Sequence, residues 1–496
     1  MLIADFFDIW LASPEFFFWF SLAFVFVFTI EDCNSRSLGY PILNTCLGWV
    51  SLFVVLCTLM LILTSSYIPN YFYNLFALQD ELSQIAKSII LIIVVIWVLL
   101  SLTYIKIEKI YNFEFWILIL IVTGVMFILV ATTDLISLYL TIEIQALIFY
   151  TLASFKKTSE FCTEAGLKYF LLGAFSSIIL LLSLSLIYGL TGLTSYIELG
   201  SLLQVYTLDN CITAYAFRAG ILLLIISFMF KIGAAPFHIW LPDVYEGSPA
   251  AITAFFATVY KFVILVVAFR IFTFWLFPIF WFVQQNFLLF VHLSLLVGSC
   301  GAFVQQKWKR FLAYSSIFHV GFLLLALANG TLQSLESFFF YILIYILTNC
   351  GFFSLFFSLV YSKNNSIVRY LSDLTMLLKT NTIQAVCLII MLFSIAGIPP
   401  IAGFFAKFYI LFSTLNSGFN SLFIVSLLFS CFSCFYYLRI IKTVCFETLT
   451  RWAFFSPVDR TISIVLSIVT LCLFFLFFNI NSFLLPLKLI TLILIF

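Results

Sequence analysis

Lys231-Ile232-Gly233-Ala234-Ala235-Pro236-Phe237-His238 interrupts an apolar run over residues 214–241. A helix cannot pass through it unbroken, because proline lacks a backbone N–H and clashes with the preceding turn. The disruption recurs at Ala396-Gly397-Ile398-Pro399-Pro400-Ile401-Ala402-Gly403, inside an apolar run over 382–415, with Lys407 following. Carbonyls freed at membrane depth persist only inside protein or beside water. Each break therefore predicts a polar cavity, and each lies within eight residues of a lysine.

Around these breaks, runs near the 20 residues of a spanning helix give fourteen candidate spans: 13–30, 40–66, 82–105, 114–131, 134–154, 161–188, 214–241, 249–272, 285–305, 309–328, 335–361, 382–415, 419–441 and 461–484. They are continuously apolar, which excludes a β-barrel. Composition agrees: 64% of the 496 residues are hydrophobic and 9% charged, against about 25% charged in a soluble domain. The expected fold class is an all-α polytopic membrane protein. A net charge of +2 argues against a nucleic-acid partner. The opening residues, with Asp5 and Asp8 and no arginine, read as neither a secretory signal nor an import peptide.

The breaks are five spans apart, an odd number, so the two units enter the membrane from opposite sides. The expected organisation is a three-helix segment over 1–110, a first repeat (helices 4–8) over 111–272, an inverted second repeat (helices 9–13) over 273–445, and helix 14 with a tail over 446–496. Broken helices at matching positions of inverted halves mark transporters with ion sites near the midplane. Basic residues segregate accordingly. Fifteen, including Arg36, Lys156, Lys157, Lys363 and Arg451, fall at odd loops, and four, Lys87, Arg218, Arg270 and Lys488, at the other side. Odd loops therefore face the cytoplasm or matrix.

Four lysines remain inside spans: Lys168, Lys231, Lys261 and Lys407. Among acids, Glu143 alone lies deep, nine residues after Asp134, or about 13 Å of helix. A charge at a helix centre costs roughly 2.5–3.5 kcal/mol, so five unpaired ones would cost over about 12 kcal/mol. They persist only if paired, wetted or neutral, and a structural ion pair remains open for any one of them. His238, after the first break, and His319, in the tenth span, are candidate proton relays. The Cys431–Cys434 pair sits in an apolar helix without further ligands and reads as buried thiols.

Together, Asp134 through Glu143, Glu164-Ala165-Gly166-Leu167-Lys168-Tyr169, Lys231 through His238, Asp243-Val244-Tyr245-Glu246-Gly247-Ser248-Pro249, Ala313-Tyr314-Ser315-Ser316-Ile317 and Ala396 through Lys407 resemble the NADH–ubiquinone oxidoreductase chain 2 family, over roughly residues 110–460. The resemblance implies an antiporter-like core subunit in the membrane arm of respiratory complex I. It implies that Glu143 pairs with Lys168, that Lys231 passes protons to Lys261, and that Lys407 leads to the exit. Pro236, Gly397, Pro399 and Pro400 would shape the broken helices. Three departures stand out: Tyr260 where the family often has proline, Ala250-Ala251 for a common Thr-Pro, and Phe318 where glycine often precedes the histidine. The last two read as lipid-side or packing changes.

No nucleotide loop, cysteine cluster or paired haem histidines are legible. The resemblance therefore implies a subunit of an NADH:ubiquinone reductase with no redox chemistry or cofactor of its own, while FMN, iron–sulfur clusters and quinone belong to other subunits. It implies as partners chain 4, chain 4L, chain 6, the lateral helix of chain 5 and membrane lipids. It implies the mitochondrial inner membrane, organelle-encoded, or a bacterial plasma membrane. Moving a proton against ~180 mV costs about 4 kcal/mol, the size of one ion-pair event. An Mrp-type cation/proton antiporter subunit shares these motifs, and a non-transporting scaffold would leave the buried lysines without a task.

Overall fold

The structure is a computed structural model describing residues 13–32, 41–65, 70–72, 76–205, 212–362, 366–375, 377–447, 455–480 and 488. Asp5, Asp8, Arg36, Lys363 and Arg451, and most of the tail after 480, lie outside the described residues.

The apolar runs are helices. They are α1 (Ser13–Asp32), α2 (Pro41–Thr64), α3 (Glu81–Glu108), α4 (Glu114–Ala131), α5 (Leu135–Ala153), α6 (Glu160–Thr191) and α7 (Ile212–Ile232). Next come α8 (Ala250–Thr273), α9 (Phe280–Val304), α10 (Trp308–Asn329) and α11 (Leu332–Ser358). The twelfth span is two 15-residue helices, α12a (Thr382–Ala396) and α12b (Ala402–Asn416). Then follow α13 (Asn420–Cys445) and α14 (Arg460–Phe478). Thirteen helices among the described residues are long and apolar enough to cross a membrane, and the divided twelfth makes up the remaining position. The fold is all-α and multi-pass, with one small antiparallel pairing of Asn70–Phe72 with Ala77–Gln79.

Polar residues set the helix ends. Asp80 accepts from the Ser83 backbone N–H at 2.9 Å, and the Ser83 hydroxyl accepts from Asp80 N–H at 3.0 Å, a capping box that starts α3. Thr331 and Ser334 do the same for α11. The seventh span differs from its predicted extent. It stops at Ile232 and resumes as a short helix, Trp240–Gly247, because Gly233 turns left-handed at φ 80°. Gly397 ends α12a with the same φ. Within α8, Phe256–Tyr260 winds as a π-turn before Lys261, a widening often found at functional sites.

The chain forms two compact units, one of residues 1–227 and 259–278, the other of 228–258 and 279–496. In the first, α1 lies against α2 and α4, α2 against α3, and α5 against α4 and α6. The later half of α8 rests on α3 and α4. In the second, α10 and α11 are almost wholly buried while α13 and α14 keep broad apolar faces outward. Here α9 meets α10 backbone to backbone, since a Cβ on Gly298 would fall 2.5 Å from the Phe318 nitrogen. Small residues permit such an approach in membrane helices.

Candidate functional site

In the second unit the twelfth-span break forms the floor of a polar site. Ending α12a at Gly397 leaves the Ala396 carbonyl without a helical donor. Lys407 Nζ donates to that oxygen at 2.9 Å, and Cys434 Sγ donates more weakly to it at 3.3 Å. The amine also stands 5.5 Å from the centre of the Phe318 ring and 5.8 Å from that of Phe322, cation–π distances. Phe318 is fully buried, so the residue replacing the family's glycine packs beside the lysine and not toward lipid. The room it needs comes from Gly298.

His319 faces the same place. Its Nδ1 lies 2.6 Å from the Tyr341 hydroxyl and its Nε2 3.3 Å from that of Tyr437. A cavity of about 20 Å3 joins the groups, lined by His319, Tyr341, Tyr345, Ser394 and Lys407. Its wall is mostly apolar, and its volume is about that of one water. The sequence reading found Lys407 and His319 but not Phe318, Phe322, Tyr341 or Tyr437. Phenol groups inside an apolar span were the available signal.

At the first break Lys231 occupies the last turn of α7, 6% exposed. The Phe230 carbonyl, freed there, accepts from Trp240 Nε1 at 2.9 Å. His238 is half-buried beyond Pro236, its Nδ1 buried without a hydrogen-bond partner and its ring 6.5 Å from that of Tyr314. The segment Asp243–Pro249 is clasped to the start of α10. Arg310 pairs with Asp243 at 2.7 Å and with Glu246 at 3.2 Å, Lys307 pairs with Glu246, and Lys309 Nζ donates to the Ser248 carbonyl at 2.7 Å.

In the first unit Lys261 opens the α-helical stretch after the π-turn and is 2% exposed. Glu143 is half-buried, its Oε1 enclosed without a hydrogen-bond partner. Lys168 binds Glu164, one turn earlier on α6, at 2.8 Å, and this pair faces outward with side chains 43% and 60% exposed. A further buried pair escaped the sequence reading: Lys87 of α3 binds Glu15 of α1, the side chains 2% and 5% exposed. Both lie near the ends of their helices and are buried by protein. Asp80, on the same face of α3 as Lys87, holds Arg270 through both carboxylate oxygens at 2.6 Å.

The family model described as "NADH:quinone oxidoreductase/Mrp antiporter, TM" matches residues 132–433. NADH-ubiquinone oxidoreductase chain 2 of Marchantia polymorpha is 39% identical over 468 residues, covering 94% of each chain. NADH-quinone oxidoreductase subunit N of Parvibaculum lavamentivorans is 36% identical, covering 88% of this chain and 87% of its own. A chain in the structure of respiratory complex I from Thermus thermophilus superposes with a TM-score of 0.75 at 25% identity, covering 94% of this chain and 98% of that one. Broken helices with buried lysines, in an all-helical multi-pass chain, define an antiporter-like membrane subunit. The chain belongs to the family of NADH–ubiquinone oxidoreductase chain 2 and its bacterial counterpart, subunit N.

Proposed function

We propose that the protein is the proton-translocating, antiporter-like core subunit that its relatives' names describe, placed in the membrane arm of respiratory complex I as a subunit of the proton-pumping NADH:ubiquinone reductase. Lys231, Lys261 and Lys407 hold and release the protons, Glu143 and Lys168 set their charge state, and His238 and His319 relay. The observation that carries this is Lys407, a buried amine held on the carbonyl of a broken helix beside a doubly hydrogen-bonded imidazole. A scaffold has no use for an amine there, since a helix end can be capped without burying a charge.

The two breaks share a local build, a glycine at φ 80° followed by proline. This supports two inverted five-helix halves over 111–272 and 273–445, with a three-helix segment before them and the fourteenth helix after. Electron transfer, FMN, iron–sulfur clusters and quinone reside in other subunits. The partners in this reading are chains 4, 4L and 6 and the lateral helix of chain 5, and the setting is the mitochondrial inner membrane. The names of the curated relatives favour complex I over an Mrp-type antiporter.

Lys231→Met tests the reading, because the stem survives while the titrating amine is lost. In assembled complex reconstituted into vesicles, fewer protons should move per NADH oxidised. An unchanged ratio would remove Lys231 from the path.

A further inference from the structure

Two buried cations of this chain face carboxylates: Lys87 has Glu15 beside it and Arg270 has Asp80. Lys407, 6% exposed, is held differently. Among the described residues no carboxylate pairs with it, and its hydrogen bond goes to the Ala396 carbonyl. Its amine lies over two rings, 5.5 Å from the centre of Phe318 and 5.8 Å from that of Phe322. Both rings are fully buried. They stand one turn apart on α10, on one face of the helix, and meet edge to face at 5.2 Å.

The backbone is shaped to bring rings and amine together. A Cβ on Gly298 of α9 would fall 2.5 Å from the Phe318 nitrogen and 2.8 Å from the Phe318 Cβ, so α9 leaves the space in which that side chain begins. A Cβ on Gly397 would fall 2.8 Å from Lys407 Cδ, so the lysine stem crosses the break over bare backbone. Phe322 in turn lies nearly parallel to Tyr341, at 6.0 Å and 18°, and the Tyr341 hydroxyl bonds His319.

Phenylalanine is abundant in this chain, at 65 of 496 residues, and leucine would fill an apolar core as well. Leucine offers a cation no attraction. The face of an aromatic ring is its negative side and draws a cation in, more strongly where water is excluded. A ring differs from a carboxylate too, since it attracts the ammonium but cannot take its proton.

We propose that Phe318 and Phe322 are positioning residues for proton transfer at Lys407, forming an aromatic seat that holds the amine on the Ala396 carbonyl while it is charged. On giving up a proton the amine loses the pull of both rings and keeps only a weaker, neutral hydrogen bond to the carbonyl. Its stem is then free to swing toward the cavity it lines with His319, Tyr341 and Tyr345. The seat thus ties the position of the amine to its charge. It rests on the reading of Lys407 as a proton carrier and deepens that reading by naming the groups that tell its two states apart. One of them, Phe318, stands where the family often has glycine.

The test uses assembled complex in vesicles and reads protons moved per NADH oxidised. Phe318→Leu and Phe322→Leu keep apolar bulk and remove the ring face, whereas Phe318→Tyr and Phe322→Tyr keep the face. Loss of one ring should weaken the hold on the charged amine roughly 2- to 30-fold. Both leucine variants should therefore fall toward the level of Lys407→Met, and the tyrosine variants should stay near wild type. Adding either leucine substitution to Lys407→Met should cause no further loss, as expected of one coupled element. If neither leucine variant assembles, Phe318→Gly, which restores the family's residue, takes their place. With Lys407→Met lowered, the seat would be overturned and the proposed function left standing by any of three results: leucine variants at the wild-type ratio, leucine and tyrosine variants equally impaired, or a further loss in the double variants. A wild-type ratio in Lys407→Met would overturn both.

Discussion

The Lys407 amine and the Ala396 carbonyl close the twelfth-span break at 2.9 Å. The hydrogen bond joins the two half-helices at the place where the main chain cannot. One amine is therefore both the cap of a helix end and, in the proposed function, the titrating group, and the two roles can be separated by mutation.

Lys407→Met should lose this subunit's proton transfer and leave the Ala396 carbonyl with only the Cys434 thiol as donor. A buried carbonyl deprived of its main partner costs about 1–3 kcal/mol, so the complex should assemble but melt earlier. Gly397→Ala should act through shape. It places a Cβ 2.8 Å from Lys407 Cδ and forces alanine to φ 80°, a conformation that costs about 1–2 kcal/mol. Pumping should fall although every titrating group remains. Normal proton output in Gly397→Ala would show that Lys407 tolerates displacement.

The Glu15–Lys87 pair should behave as a fastening of the first helix. Lys87→Met leaves a buried carboxylate uncompensated and should cost about 3–5 kcal/mol. The double variant Glu15→Gln/Lys87→Met should recover most of that loss. Native-gel yield and thermal melting of the complex measure both. A double variant as unstable as Lys87→Met would mean that the charge itself is needed.

Glu143→Gln should reduce pumping far more than assembly, and Glu143→Asp should keep part of the function. Combining Glu143→Gln with Lys168→Met should be little worse than either alone if the two act as one element. Glu164→Gln separates local from distant effects. Its pair with Lys168 is an outward i,i+4 contact worth at most about 0.5 kcal/mol, so stability should hardly change. Additive losses in the Glu143/Lys168 cycle would dismantle the coupling.

Orientation can be read with membrane-impermeant thiol reagents on single cysteines placed in the assembled complex. Lys157→Cys should label from the matrix or cytoplasmic side and Leu193→Cys from the opposite one, as the charge bias requires. Labelling of both from one side would contradict the topology.

Most of the fold was legible because lipid leaves few choices: a run of about 20 apolar residues has to be a helix. The breaks were legible because glycine and proline act locally. Phe256–Tyr260 contains neither, so its π-turn, set by packing within a buried helix, had no signature. The ion pair of Lys87 had no signature for a related reason. Six residues into α3 it looks like a flank, and only a partner 72 positions away shows it to be buried. The partners of His319 were illegible because tyrosines at 341 and 437 are neighbours only in three dimensions.

The imidazole of His319 between two phenols has a further consequence. A neutral ring carries one N–H and one bare nitrogen, so Tyr341 and Tyr437 cannot play the same part at the same time: one accepts while the other donates. A proton that enters at one nitrogen and leaves by the other exchanges those parts and leaves the ring in its opposite tautomer. Both hydroxyls must then turn over before a second proton can follow in the same direction. As the relay of the proposed function, the trio would be a turnstile, admitting one passage and then waiting to be reset, and whatever resets it would fix the pace of the flow.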